Sequence, residues 1–292
     1  DPNTDPTMSK TLGSRAVGGV GLVIAEMTNI SAEGRITYGC TGLYKDEHVD
    51  AWRRITDFVH QNSNAKIGVQ LGHAGRKAST ELLFKGGEPL TADNGAWETV
   101  APSAIPFDEG WHTPKALDRE GMLALLEDYK AATKRALAAG FDLVEVHMAH
   151  GYLLSTFISP LTNRREDDYG GSLENRMRFP LEVLDAVREI WPSHLPVSVR
   201  ISATDWKEGG NTPEESVEVA RMLQAHGCDL VDVSAGGNIP DGEPVYGRMF
   251  QTPFADRIRN EVGVSTMAVG NIQGWDHVNT IVASGRADLC AL

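Results

Sequence analysis

The sequence predicts an α/β protein of the TIM, or (β/α)8, barrel class, and three features support that prediction. Seven short apolar runs alternate with segments of helical periodicity along the 292 residues. Three helix-to-strand junctions resemble one another, as "AAGFDLVEV", "AHGCDLVDV" and "ASGRADLCAL". Polar residues cluster at the carboxyl ends of the runs, where a barrel builds its active site from several strands.

Each strand candidate is a short apolar run, as expected of strands buried on both faces. The candidates are Gly19–Met27, Ala65–His73, Phe141–His150, Pro196–Ala203, Cys228–Gly237, Ser265–Asn271 and Ala287–Leu292. The helical segments between them often open with Asp, Ser or Thr-Pro and close with Gly. They are Asp46–Gln61, Asp118–Ala139, Ser172–Ile190, Pro213–His226, Pro253–Val262 and Gly274–Ala283. Repetition of strand then helix indicates a parallel sheet.

The alternative is an open, doubly wound sheet. Such a sheet would carry a Gly-rich fingerprint after its first strand, and "GGVG" near Gly18 does not match that pattern. Seven runs leave an eight-stranded barrel one strand short, and the last run coincides with the end of the chain. We therefore expect residues 1–292 to be a single barrel domain that lacks its first strand and its carboxyl end, as a fragment of a longer protein.

Two segments interrupt the regular alternation. The first, Ala74 to Lys115, is a connection rich in Gly, Pro and Trp, and connections of this length are commonly lids or binding loops. We expect this insertion, at about residues 74–115, to lie over the carboxyl rim. The second, Tyr152 to Arg176, contains "SPLTNRREDDYGGSLENR" and predicts a charged loop that leads through a turn to a helix cap at Ser172.

Composition argues against several classes of function. Lys plus Arg number 27 against 40 Asp plus Glu, and the net charge of −13 argues against a nucleic-acid partner. No apolar run approaches the roughly 20 residues of a membrane span, and "DPNTDPTMSK" does not have the order of a signal peptide. Cys40, Cys228 and Cys290 are too far apart to indicate a disulfide framework or an iron–sulfur site. A soluble protein of the reducing cytoplasm is expected.

Two polar residues from different strand candidates are expected to point into the barrel mouth. Gln70 and Arg200 have bulky apolar neighbours on the alternate positions, so both side chains should face inward. One interpretation is a buried polar pair whose members satisfy each other or a carboxylate. The other is a site for a flat heterocycle with an imide edge, because an amide offers donor and acceptor and a guanidinium offers a fixed cation.

Glycines near the last two strands are candidates for an anion site. "AVGN" ends the penultimate strand at Gly270 and Asn271, and "SGRADL", with Gly285 and Arg286, leads into the last. Loops after the seventh and eighth strands of a barrel commonly bind phosphate through backbone N–H groups, although ordinary turns are the alternative. An anion site together with an imide-binding pair suggests a phosphorylated planar cofactor, and flavin mononucleotide (FMN) fits.

The stretch "VEVHMAHGY" places His147, His150 and Tyr152 at the end of one strand candidate. A zinc site would need a third ligand at suitable spacing, which is missing, so no metal is expected. Core histidines bonded to carbonyl groups are another interpretation. We favour two imidazole N–H donors for one substrate oxygen, with a phenol beside them. A phenol of pKa about 10 is protonated at neutral pH and can give a proton to a carbanion-like centre.

Several stretches resemble the old yellow enzyme family of FMN-dependent ene-reductases, in the bacterial branch that includes 2,4-dienoyl-CoA reductases. They are "GVQLGHAGRKAS", "VEVHMAHGYLLSTFISPLTNRREDDYGGSLENRMRFPLEV", "VRIS" and "VGNI" with "GRADL". The likeness covers essentially the whole chain. Within the family, "VYGRMFQTPFADRIRNE" and "DHVNTIVASGRADLCAL" are most similar to the reductase half of bifunctional aromatic acyl-CoA monooxygenase/reductases.

The resemblance implies roles for particular residues. His147 and His150 would bind the substrate carbonyl, and Tyr152 would be the proton donor. Within the cofactor site, the Gln70 side chain would bond the pyrimidine edge of FMN, and Arg200 would face its N1/C2 carbonyl side. The implied cofactor-binding set is Gln70, Arg200, Gly270, Asn271, Gly285 and Arg286.

The implied reaction uses NAD(P)H to reduce the flavin, whose hydride then passes to the β-carbon of an activated alkene. An enone or an acyl-CoA thioester is the implied substrate, and a homo-oligomer, fused to or paired with a monooxygenase domain, is the implied assembly. The family's first strand, with its Pro-Met-Cys or Thr cluster, and its Arg-Pro segment after the last strand are absent. "TDPTMSKTLGSRA" also lacks the histidine-bearing helix that usually precedes "GSRA".

Two other functions stay open on the sequence. A flavin amine dehydrogenase would carry a cysteine cluster for an iron–sulfur centre after the barrel, and no such cluster is found in residues 1–292. A non-catalytic FMN-binding or assembly module, completed by a partner, would give a colourless preparation that is inert towards NAD(P)H.

Overall fold

The structure, a computed structural model, describes residues 6–292, with side chains from Lys10 onward. Its strands are β1 (Leu22–Asn29), β2 (Lys66–Gly72), β3 (Val100–Ala101), β4 (Lys115–Ala116), β5 (Leu143–Met148), β6 (Val197–Ser202), β7 (Leu230–Ser234), β8 (Ser265–Ala268) and β9 (Leu289–Cys290). Its helices are α1 (Pro6–Val17), α2 (Glu47–Asn62), α3 (Arg119–Ala138), α4 (Leu153–Ile158), α5 (Leu173–Ile190), α6 (Pro213–Ala225), α7 (Thr252–Val262) and α8 (Gly274–Ala283).

Seven strands form one parallel sheet in the order β1-β2-β5-β6-β7-β8-β9. Neighbours in the sheet follow one another along the chain, and a helix separates each pair, which is the topology of a (β/α)8 barrel. Within the described residues, β1 and β9 are edge strands that do not pair with each other. The prediction of a TIM barrel one strand short of closure is thus confirmed.

All seven predicted strands and all six predicted helices are present, but four elements were not anticipated. Helix α1 includes "GSRA" and the residues directly before it. It contains no histidine among its described residues, and residues 1–5 lie outside the described part. Helix α4 lies inside the predicted charged loop, where its six residues are all buried and too few to show a helical period. The short strands β3 and β4 pair within the insertion.

The core lies between the sheet and its helices. Its largest fully or almost fully buried side chains include Trp191, Tyr129, Phe157 and Phe179. Burying a large apolar side chain of this kind stabilises a fold by about 1.5–3 kcal/mol. This core stabilises the packing of the helices against the sheet.

The repeated Asp-Leu of the helix-to-strand junctions has a structural role at the amino end of the sheet. In each case the carboxylate accepts a hydrogen bond from a backbone N–H near the start of the preceding sheet strand. The pairs are Asp142 with Ile67 at 2.9 Å, Asp229 with Val197 at 2.9 Å, and Asp288 with Thr266 at 3.0 Å. These aspartates tie neighbouring strands together at the edge opposite the carboxyl rim.

Among the described residues, no helix combines the length and the apolar character that crossing a membrane would require.

Candidate active site

A row of polar side chains crosses the inner face of the sheet. Gln70, Glu145 and Ser198 lie opposite one another on β2, β5 and β6, so all three point to the same side. The Gln70 amide Nε2 donates to Glu145 Oε1 at 2.8 Å, and Ser198 Oγ donates to Glu145 Oε2 at 2.7 Å. All three side chains are buried. Glu145 therefore fixes the orientation of the Gln70 amide.

Two buried carboxylates, Glu145 and Asp232, were not predicted as part of the site. Burial raises the pKa of Glu145, although hydrogen bonds from Gln70 and Ser198 oppose the shift. Burial, with the nearby Glu145 charge, raises the pKa of Asp232 to about 8. The sequence did hold a signal, because both acids occupy the same position in the repeated "DLVEV" and "DLVDV", inside runs that are otherwise apolar.

Arg200 lies next to Asp232 on the inner face, with Arg200 Nε 3.2 Å from Asp232 Oδ2. The alignment is poor, since Arg200 Nε and Asp232 Oδ1 are both buried without a hydrogen-bond partner among the described residues. Burial outweighs the attraction of the Arg200 charge in setting the Asp232 pKa. Buried donors normally have a hydrogen-bond partner. The Arg200 guanidinium can therefore donate to a further acceptor group.

The raised pKa of Asp232 predicts how stability depends on pH. A carboxyl with a folded pKa of about 8 and an unfolded pKa of about 3.9 favours the folded state only while protonated. The wild type should lose stability as pH rises from about 4 to about 8, by a few kcal/mol at most. Asp232→Asn should remove this loss, as measured by urea unfolding at about pH 5 and pH 8, with exposed Asp57→Asn as the control. Parallel pH profiles for wild type and Asp232→Asn would show that Asp232 is ionised in the fold.

The two predicted histidines are brought together at the carboxyl end of β5. His147 and His150 have ring centroids 5.2 Å apart at 80°, and His147 Nε2 lies 3.4 Å from His150 Nδ1. The Ala149 N–H donates to His147 Nδ1 at 3.1 Å, so the His147 proton is on Nε2. His150 Nε2 lies 2.7 Å from Ser234 Oγ, which suits donation from His150.

Both imidazoles are neutral at physiological pH. Burial, with the charges of His150 and Arg200, places the pKa of His147 well below its usual value. Burial and the Arg200 charge lower the pKa of His150 to about 3. Neutral rings with defined tautomers can present N–H donors without carrying charge. No group of metal-ligating side chains occurs in the described part of the chain, so nothing there supports the zinc alternative.

Tyr152 lies directly before α4, beside the histidines. Its ring centroid is 5.0 Å from that of His147, with the planes at 83°. Burial, with smaller effects of Cys40 and Glu26, raises the pKa of Tyr152 to about 12. The phenol is therefore protonated across the neutral range, as a proton donor must be.

The insertion at residues 74–115 covers this corner of the rim. Trp97 packs with Tyr152 against a small apolar cluster, and Trp97 Nε1 donates to the Glu33 carbonyl at 2.9 Å. Arg76 Nη1 donates to the carbonyls of Ile105 and Pro106 at 3.1 and 2.9 Å. The segment thus lies beside the candidate proton donor, and movement as a lid stays a prediction.

Gly270 and Asn271 lie at the carboxyl edge, directly after β8. Both have left-handed backbones, with φ of 108° and 50°. A Cβ on Gly270 would lie 2.3 Å from Gln251 Nε2, and the φ of 108° independently favours glycine at this position. Gln251 also accepts a hydrogen bond from Ser234 at 3.3 Å, which links this turn to His150.

Gly285 and Arg286 lie at the opposite edge of the sheet and are not part of this site. They precede β9, and because the sheet is parallel they sit at its amino edge, whereas Gly270 follows β8 at its carboxyl edge. Arg286 Nε is paired with Asp256 Oδ2 at 2.9 Å. One phosphate cannot contact both edges. The sequence already showed that Gly285 and Arg286 precede the last strand rather than follow it, and the interpretation overlooked this order.

The arrangement at the carboxyl edge suits FMN. Arg200 offers a guanidinium whose Nε lies beside Asp232 without a well-aligned hydrogen bond, and Gln70 presents an oriented amide. Gly270 and Asn271 form a left-handed turn at the carboxyl end of β8.

Comparison with known proteins identifies the family. The model of the NADH:flavin oxidoreductase / NADH oxidase family matches residues 3–292. The chain belongs to this family. A NADPH dehydrogenase of Geobacillus sp. (strain WCH70) is 44% identical over 279 residues, covering 96% of this chain and 76% of the relative. A NADPH dehydrogenase of Listeria monocytogenes serotype 4a (strain HCC23) is also 44% identical, over 276 residues, with 94% and 76% coverage.

Solved structures of the old yellow enzyme type share the fold. A 2-naphthoyl-CoA reductase complex has a TM-score of 0.86 at 26% identity, covering 99% of this chain and 46% of that one. Morphinone reductase in complex with tetrahydroNAD has a TM-score of 0.78 at 28% identity, with 98% and 77% coverage. Histamine dehydrogenase from Rhizobium sp. 4-9 has a TM-score of 0.80 at 28% identity and is covered over 41% of its length. The chain thus spans less than half of two of these proteins.

Family membership establishes the coarse chemistry. This NADH:flavin oxidoreductase is a flavoenzyme that uses FMN, with NAD(P)H as the reductant. The expectations of an oxidoreductase, of FMN and of the old yellow enzyme family are confirmed.

Proposed function

We propose that this oxidoreductase reduces activated C=C bonds, and the observation that carries the proposal is the group formed by His147, His150 and Tyr152. Two neutral imidazoles and a protonated phenol lie side by side at the carboxyl rim. Reduction of an enone needs these two functions, donors for the carbonyl oxygen and an acid for the α-carbon.

Each residue has a defined task in this proposal. His147 donates from Nε2, which carries the ring proton because Nδ1 accepts a hydrogen bond from the Ala149 N–H. His150 donates from Nε2, which without substrate is hydrogen-bonded to Ser234 Oγ. A bound substrate oxygen therefore replaces the hydrogen bonds that His147 and His150 otherwise make within the protein. These donors stabilise negative charge on the carbonyl oxygen. Tyr152 then gives its proton to the α-carbon.

The cofactor-binding residues in this proposal are Gln70, Arg200, Gly270 and Asn271. FMN held there and reduced by NAD(P)H supplies the hydride that the alkene β-carbon accepts. Arg200 supplies a positive charge where the reduced ring carries more negative charge than the oxidised one. Gln70 offers an amide held in place by Glu145.

An enone or an α,β-unsaturated acyl-CoA thioester is the proposed substrate, and dearomatised aryl-CoA thioesters are the narrower candidate. The structural similarity to 2-naphthoyl-CoA reductase supports the thioester class. Tyr152 lies against His147, and Trp97 packs with Tyr152 against the same small apolar cluster, so this corner offers an aromatic surface that suits a planar acyl group.

Anaerobic spectroscopy tests the proposal. The protein with added FMN should bleach with NAD(P)H and regain its flavin colour when an enone is added. Bleaching by an amine instead, without reoxidation by the enone, would support an amine dehydrogenase. A protein that binds FMN but is inert towards NAD(P)H would support the non-catalytic module.

Replacing Arg200 tests its place beside FMN. Arg200→Ala should weaken FMN binding and lower the reduction potential of the bound flavin, because a nearby positive charge favours the reduced, more negative ring. Titration calorimetry and anaerobic redox titration measure the two effects, with exposed Arg221→Ala on α6 as the control. Full FMN occupancy with an unchanged potential would remove Arg200 from the cofactor site.

A further inference from the structure

Lys77 is a cation with no role in the chemistry described so far. It ends a short turn after β2, and its Nζ donates to the carbonyls of His150 at 3.0 Å and Gly237 at 3.3 Å. The rings of Phe107 and Tyr152 lie 4.6 and 5.2 Å from the same nitrogen. Lys77 therefore sits where the insertion, the histidine turn and the turn after β7 meet.

The two carbonyls that bind the ammonium belong to turns in direct contact. His150 and Gly237 both have left-handed backbones, with φ of 61° and 90°. A Cβ on Gly237 would lie 2.6 Å from the His150 Cα, and a Cβ on Gly151 would lie 2.1 Å from the Gly237 oxygen. There is no room for either turn to move towards the other. The ammonium is thus fixed at a defined place beside the histidine pair.

The Lys77 ammonium forms no ion pair with a carboxylate among the side chains from Lys10 onward. Burial, with the neighbouring Arg76 charge, lowers the pKa of Lys77 to about 8, so the ammonium is still charged at neutral pH. Carbonyl dipoles and ring faces solvate a cation, but they do not neutralise it. A largely buried cation without a counterion favours an anion arriving nearby.

The field of this cation reaches the histidines. Its charge is the smallest of the causes that lower the two pKa values, after burial, the His150 charge and the Arg200 charge for His147, and after burial and the Arg200 charge for His150. A field that disfavours positive charge on these rings favours negative charge on an oxygen bound to them.

We propose that Lys77 supplies a fixed positive charge that stabilises the negative charge developing on the substrate oxygen. This inference rests on the proposed function, in which His147 and His150 bind that oxygen. Lys77 acts by its charge from behind the histidine turn, held by the carbonyls of His150 and Gly237.

Two phenols that differ in charge distinguish the effect of the Lys77 charge from a purely structural effect of its replacement. With FMN added, p-nitrophenol is largely anionic at about pH 7.5, below the Lys77 pKa of about 8, while p-methylphenol is neutral. Titration calorimetry should show that Lys77→Met weakens binding of the nitrophenolate about tenfold or more and that of p-methylphenol less than about threefold. Lys77→Arg, which keeps the charge, should restore most of the nitrophenolate affinity. Lys115→Met, at an exposed lysine of the same insertion, is the matched control.

Equal losses for the two phenols, or no loss for either, would overturn the proposal. Lys77→Gln, which keeps a donor for the carbonyls but not the charge, decides the question if Lys77→Met does not fold. It should show the same selective loss. If the wild type binds neither phenol nor FMN, the proposed function itself is refuted, and the role of Lys77 with it. If the wild type binds both phenols but the Lys77 variants weaken them equally, only the role of Lys77 is refuted.

Discussion

Tyr152→Phe should slow reoxidation of the reduced enzyme by an enone by about 10²–10⁴-fold, the usual range for losing a general acid. The phenol is protonated at neutral pH, because burial raises its pKa to about 12, and it lies against His147. Reduction by NAD(P)H needs no proton at the α-carbon, so that half-reaction should keep its wild-type rate. Stopped-flow absorbance of both half-reactions on flavin-loaded protein measures the two rates separately.

A nitroalkene provides the internal control for Tyr152. Its carbanion is stabilised by the nitro group, so hydride transfer can proceed and the proton can come later from water. Tyr152→Phe should therefore reduce nitroalkenes at close to the wild-type rate and release a nitronate. Tyr169→Phe, at a tyrosine hydrogen-bonded to Glu182 at 3.0 Å outside the candidate site, controls for loss of a phenol. Reoxidation of Tyr152→Phe by an enone at the wild-type rate would mean that another group is the acid.

Replacing both histidines should produce the other large effect. His147→Ala with His150→Ala removes both donors to the substrate oxygen, and a lost donor of this kind commonly costs about 10²–10³-fold in rate. Enone turnover should fall by at least that factor, and binding of phenols, which imitate an enolate oxygen, should weaken. Titration calorimetry with p-methylphenol and steady-state turnover measure the two losses.

The histidine prediction also separates substrate binding from metal binding. Chelators should leave the wild type unaffected, and His226→Ala, at a partly exposed histidine that pairs with Asp185 outside the candidate site, should behave as wild type. Activity lost to a chelator and restored by zinc would contradict the assignment of the pair to a substrate oxygen.

The positions of the secondary structure elements follow from local sequence. Helix α6 is an example, because the Thr212 hydroxyl accepts from the Glu215 N–H and the Glu215 carboxylate accepts from the Thr212 N–H, as the capping pattern predicts. Helix α4 was missed for the opposite reason, since six fully buried residues show no periodicity. Whether a helix is buried on all of its faces depends on the tertiary structure, and the local apolar pattern of the sequence does not predict it.

The candidate catalytic group was predictable because it is local. His147, His150 and Tyr152 lie within six residues at the end of one strand, so the strand's direction alone brings them to the rim. Gly285 and Arg286 show the limit of the same logic. They lie near a strand in sequence, but at its amino end, and the parallel sheet carries them to the opposite edge from Gly270.

By itself, the sequence determined the order of strands and helices, the parallel barrel and the rim position of the histidines and tyrosine, because apolar periodicity, caps and strand direction are encoded within single segments. Only the tertiary structure decided the contacts between segments distant in the chain. It paired Gln70 with Glu145 and placed Lys77 against the His150 carbonyl, at separations of 75 and 73 residues. Such contacts depend on strand register and on how two turns pack, and a single sequence specifies those only through the complete fold.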